Sequence, residues 1–155
     1  MTPSTTTHDT FVIERRYDVP AAQVFRAWAD PVLKAGWFTG NADSLGDTYE
    51  LEFSIGGREV FRAGPPDGPV YTYESVFRDI VPDRRIVYTY EMHADDDRIS
   101  VSVATVEFLD DGATSQLRLT EQGVFLDGHD TSTQREEGTR SLLDSLGASL
   151  ERADA

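Results

Sequence analysis

The sequence predicts an α+β fold in which one curved antiparallel sheet closes around a C-terminal helix. Two observations carry this. The elements run strand, two short helices, six strands, helix. An antiparallel sheet with one apolar face also needs a cover, and the amphipathic last segment can supply it. A sheet that grips a single helix tends to leave a cavity between the two.

Residues 1–9 are Thr-rich and polar and read as a disordered, mobile tail, with a single domain over residues 10–153. From Phe11 to Tyr17 apolar and polar residues roughly alternate, as in a strand with one buried face. Asp18 is placed to cap a helix whose first turn holds Pro20, and Val24, Phe25, Ala27 and Trp28 form its apolar stripe. Asp30-Pro31 repeats the start signal for a second helix over Val32 to Ala35, ended by Gly36, with Trp37-Phe38 at its exit. Asn41 to Gly46 reads as loop.

Tyr49, Leu51, Phe53 and Ile55 then alternate with polar residues in a half-buried strand that Gly56-Gly57 turns. In the next strand Glu59, Phe61 and Ala63 share one face, and Arg58, Val60 and Arg62 the other. Gly64 to Pro69 is a strong turn. Strands follow over Val70 to Val81, Arg85 to His93, Ile99 to Leu109 and Ser115 to Gln122, spaced as in a meander. Past Gln122 the period changes. Asp130 or Thr131 is a candidate cap, Thr133 with Glu136 a candidate capping box, and Thr139, Leu142, Leu143, Leu146 and Leu150 a helical stripe.

Composition narrows the function classes. A net charge of −14 repels phosphate backbones and anionic lipid surfaces, so nucleic-acid and membrane partners are not expected. The chain has no cysteine, which removes disulfides, thiolate nucleophiles and Cys-based zinc sites. No signal peptide or bilayer-length apolar run is visible, and a cytoplasmic location is the expectation.

In order and spacing the sequence resembles the activator-of-heat-shock-ATPase-like family of the START/SRPBCC (Bet v 1-like) superfamily, whose relatives include polyketide cyclases and the birch pollen allergen. The matching pieces are Arg15-x-Tyr17-Asp18-Val19-Pro20 with Val24 to Trp28, Asp30-Pro31 with Trp37-Phe38, and Gly56-Gly57-Arg58. They continue with Tyr73 to Phe77 and Ile80 to Val87, Val106-Glu107-Phe108, Thr114-x-x-Leu117, and Glu136-Glu137-Gly138 with Leu142 to Leu150. The resemblance implies a helix-grip fold and a deep cavity for small, mostly apolar molecules. Two positions depart from it. Thr139 stands where the family usually has Trp, which would enlarge or re-polarise the cavity floor, and Ser75 stands where a glycine is usual.

The candidate lining follows from strand faces. Tyr71, Tyr73 and Phe77 share one face of a strand; Tyr88, Tyr90 and Met92 share one face of the next. With Trp37, Phe38 and Phe53 they are candidates to line a pocket, with the tyrosine hydroxyls orienting a ligand; core packing is the alternative. Thr139, Leu142 and Leu143 would close it from the helix. Among the strand charges Arg58 and Glu121 are the preferred candidates for a buried pair, since an unpaired buried charge is too costly to persist.

No catalytic set stands out. His129, with Asp127 and Asp130, is a candidate base before the last helix, although a surface histidine explains it as well. His8 lies in the tail. His93 precedes an Asp-rich hairpin tip that lacks the ligand spacing of a calcium loop, so no metal and no cofactor are expected. Lys34 is the single lysine, and Schiff-base chemistry gains little from it.

Three functional readings remain open. The first is a binding protein for a small hydrophobic or aromatic molecule. The second is a cyclase- or hydratase-type enzyme acting on such a molecule. The third is a stress-response module that binds a chaperone, disfavoured because only one domain is present. A homodimer through an edge strand or helix face stays open.

Overall fold

The computed structural model describes residues 4–40 and 48–154. The segment read as loop over Asn41 to Gly46 lies outside the described residues. Strand β1 (Thr6–Tyr17) leads into helices α1 (Ala21–Ala29) and α2 (Pro31–Phe38). Six strands follow: β2 (Tyr49–Leu51), β3 (Arg58–Ala63), β4 (Tyr71–Val81), β5 (Arg85–Ala94), β6 (Asp97–Asp111) and β7 (Thr114–Leu126). Helix α3 (Ser132–Asp154) ends the chain. All neighbours pair antiparallel in the order β1-β7-β6-β5-β4-β3-β2, so the meander runs to β7 and β1 closes beside it. This is the helix-grip α+β arrangement.

Several local starts and stops differ from the sequence reading. Strand β1 begins at Thr6, inside the segment read as a tail, because β7 runs on to Leu126 and offers a free edge. Thr6 pairs with Leu126 and His8 with Val124. Pro20, not Asp18, is the N-cap of α1, and it caps with its carbonyl alone. Asp30 caps α2 as expected, its carboxylate accepting from the Val32 and Leu33 amides at 2.9 and 3.1 Å. Helix α2 continues through Gly36 to Phe38 because Thr39 closes it, the Thr39 hydroxyl donating to the Ala35 carbonyl at 2.6 Å. At α3 the cap is Thr131, whose Oγ1 accepts from the Gln134 amide at 3.1 Å. Glu136 is not in a capping box; it pairs with Arg140 at 2.6 Å. Strand β2 stops at Leu51, and Ile55 beyond it is 66% exposed.

Period decides which faces are buried. On β6 Ser102, Ala104, Val106 and Phe108 point inward, and on β7 Ser115, Leu117, Leu119 and Glu121 do the same. Register shifts on β4 at Phe77/Asp79 and between β5 and β6 at Met92/His93 add bends of the kind bulges produce. On α1 the predicted stripe is buried throughout: Val24, Phe25, Ala27 and Trp28.

Helix α3 presents Leu143, Leu146 and Leu150 to the interior. Tyr17 anchors it by donating its hydroxyl to the Leu143 carbonyl at 2.9 Å. Gly147 makes that approach possible, since a Cβ there would stand 3.2 Å from the Tyr17 ring. Beneath α1 edge-on aromatics pack against one another: Phe25 meets Phe53 at 5.6 Å and Phe108 at 5.5 Å, and Phe53 meets Phe77 at 5.0 Å between ring centroids.

Candidate functional site

The other half of the interior, under the first turns of α3, is not filled. A pocket of about 320 Å³ lies there, at the small end of the ligand-site range. Seven aromatic side chains line it; Phe61 packs against Phe38, and the other six form a closed circuit of neighbouring rings. Trp28 meets Trp37 at 4.9 Å, Trp37 meets Phe38 at 5.9 Å, and Phe38 meets Tyr73 at 5.1 Å. Tyr73 meets Tyr90 at 4.9 Å, Tyr90 meets Tyr88 at 6.1 Å, and Tyr88 returns to Trp28 at 6.4 Å. Thr139, Leu142 and Leu143 close the pocket from α3. Gln134 and Gly138, both exposed, lie at its outer end.

The sequence candidates thus divide. Trp37, Phe38, Tyr73, Tyr88, Tyr90, Glu121, Thr139, Leu142 and Leu143 all line this pocket. Phe53 and Phe77 do not, because α1 docks over that end of the sheet and Phe25 packs against Phe53. Arg58 does not either. Glu59 and Phe61 take the inward positions of β3, so Arg58 faces outward, 61% exposed, with Glu74 at 3.7 Å. Tyr71 is likewise exposed, and so is His129. Thr139 lines the pocket, and its hydroxyl donates to the Arg135 carbonyl one turn back at 2.9 Å.

One end of the pocket is polar. Glu121 is 3% exposed, and its Oε2 accepts from the Tyr90 hydroxyl at 2.7 Å. Its Arg partner is Arg135 on α3, 4.0 Å away. That guanidinium donates to the Tyr90 hydroxyl at 3.0 Å, to Ser100 at 2.8 Å and to Asp130 at 2.8 Å. It lies between the rings of Tyr90 and Phe125, 5.6 and 5.3 Å from their centroids. No hydrogen bond among the described residues engages Glu121 Oε1 or the Tyr88 hydroxyl, and both residues line the pocket. The Tyr73 hydroxyl and the Trp28 indole N–H, on two further lining residues, are buried without a partner among the described residues. Burial pushes the Glu121 carboxyl above its ordinary value; Tyr90 and Arg135 oppose the shift and Asp130 adds to it. Burial also raises the hydroxyls of Tyr73, Tyr88 and Tyr90.

Behind the aromatic wall lies a second charged group that the sequence reading missed. Lys34 on α2 and Glu59 on β3 are 1% and 0% exposed, with Nζ 2.7 Å from Oε1. Tyr49 donates to Glu59 Oε2 at 2.5 Å, and burial with the neighbouring carboxylate raises its hydroxyl strongly. The Lys34 ammonium also lies 4.9 Å from Trp28, 4.7 Å from Phe38 and 5.9 Å from Tyr88, measured to ring centroids. Burial lowers the lysine's proton affinity, and Glu59 restores part of it. The signal was present in the sequence: an isolated lysine inside an apolar eight-residue helix, and a glutamate sharing a strand face with Phe61. Arg135 was also legible, since it falls on the same helical stripe as Thr139 and Leu142. Among the described residues no three His, Asp or Glu side chains converge as a metal site, and no helix is long and apolar enough to cross a membrane.

Comparison with known proteins fits this geometry. An uncharacterized protein from Rhizobium leguminosarum is 40% identical, with a TM-score of 0.91 over 97% of this chain and 99% of its own. The Mll3558 protein from Rhizobium loti is 41% identical, with a TM-score of 0.86 over 94% of this chain and 99% of its own. DynU16, a protein in the dynemicin biosynthetic locus, shares the fold at 16% identity, with a TM-score of 0.65 over 92% of this chain and 47% of its own. No curated protein matches. Residues 18–151 match the family described as Activator of Hsp90 ATPase homolog 1-like protein, and this chain belongs to that family.

Proposed function

We propose that this protein binds a small, mostly apolar molecule of aromatic shape in the pocket beneath α3. The observation that carries the reading is the closed circuit of Trp28, Trp37, Phe38, Tyr73, Tyr90 and Tyr88 around one unfilled space. Buried aromatic faces favour burial of a flat apolar body, while the one polar end fixes its orientation. The family's fold is consistent with that use.

The chain's two tryptophans both line the pocket, so both indole N–H groups report on it. Nitrogen–proton correlation spectra recorded with a panel of naphthalene-, indole- and decalin-sized probes test the reading. Saturable shifts of both indole signals are expected with at least one class. If neither signal moves with any probe up to its solubility limit, the reading is wrong.

A further inference from the structure

The polar end of the pocket selects among apolar ligands, and this inference rests on the binding function proposed above. Glu121 lines the pocket; its Oε2 is committed to the Tyr90 hydroxyl, whereas Oε1 has no donor among the described residues. A buried carboxylate oxygen without a donor is costly, so the pocket favours a guest that brings one. The hydroxyl of Tyr88, another lining residue, has no hydrogen-bond partner among the described residues and can donate in return.

The surrounding charges narrow the head group. Arg135 is already engaged by Tyr90, Ser100 and Asp130, so it offers no free fork to a ligand carboxylate. With Glu121 and Asp130 both at this end, an anion is repelled. A cation gains little, because the Lys34 ammonium already lies 4.7 to 4.9 Å behind the rings of Phe38 and Trp28.

We infer that the pocket takes a neutral aromatic hydroxyl compound, a phenol or fused-ring alcohol. Its O–H donates to Glu121 Oε1 and its oxygen accepts from the Tyr88 hydroxyl.

Calorimetric titration with naphthol, methylnaphthalene, naphthoate and naphthylmethylammonium tests this on a constant ring. Naphthol should bind about tenfold tighter than methylnaphthalene, the scale of one hydrogen bond to a charged group, with the two ions weakest. Glu121→Gln keeps a carbonyl for Tyr90 and turns an N–H₂ toward the pocket. In it the naphthol advantage should vanish and acetylnaphthalene should gain. Tyr88→Phe should reduce the naphthol advantage about threefold without touching the Tyr90–Glu121 bond. If methylnaphthalene binds as well as naphthol, or naphthoate binds best, the hydroxyl assignment falls and the apolar-binding reading stands. If no member of the series binds, both fall.

Discussion

Lys34 Nζ stands 2.7 Å from Glu59 Oε1, and neither side chain is more than 1% exposed. A pair so fully desolvated costs more to half-remove than to remove whole. Lys34→Met should therefore lose about 3–5 kcal/mol of folding stability, because it leaves the buried Glu59 without its cation. The double variant Lys34→Met/Glu59→Gln should recover to within about 2 kcal/mol of wild type. Urea unfolding of both measures the coupling, and equal losses in the single and double variants would contradict it.

Glu121 gives the pH dependence a sign. Its folded carboxyl holds a proton above the ordinary value of 4.5, so the folded state binds more protons than the unfolded state in that window. Stability contributed by this group should fall as pH rises from 4.5 through the folded value, then level off. Glu121→Gln removes the titration. The variant should gain on wild type over that pH range in denaturant unfolding, and a pH-independent difference would count against the assignment.

Thr139→Trp should fill the pocket from α3. Cavity filling of this kind commonly adds about 0.5–2 kcal/mol, so stability should hold or rise while probe binding is lost. Spectra should show a third indole signal, and none of the three should respond to the probes.

Tyr17 ties the long helix to β1 through its hydroxyl on the Leu143 carbonyl. Tyr17→Phe keeps the ring against Gly147 and removes only that bond, at about 1 kcal/mol by thermal or urea unfolding. Gly147→Ala crowds the same ring and should cost about 1–3 kcal/mol. A smaller loss from Gly147→Ala than from Tyr17→Phe would mean the helix shifts to accommodate.

Element order and strand faces were readable because period two and period 3.6 are local properties: the stripes of α1 and α3 and the inward rows of β4 and β5 fall where the spacing puts them. What the sequence left open was how far α1 slides over the sheet. That docking depends on long-range packing, and it turns Phe53 and Phe77 into core while leaving Tyr88 and Tyr90 in the pocket wall. Arg58 was misplaced by one position of strand parity, since the inward slot belongs to its neighbour Glu59. Lys34 escaped notice because a lone lysine is ordinarily a surface residue, and only contact with a residue 25 positions away explains its burial.

Because that lysine is the only one in the chain, the folded surface of the described residues carries no ε-amine at all. Acylating reagents that seek amines find none on these elements until α2 lifts from β3. The rate at which Lys34 becomes labelled is thus an intrinsic clock for the opening of this corner of the protein, readable by mass without any engineered probe.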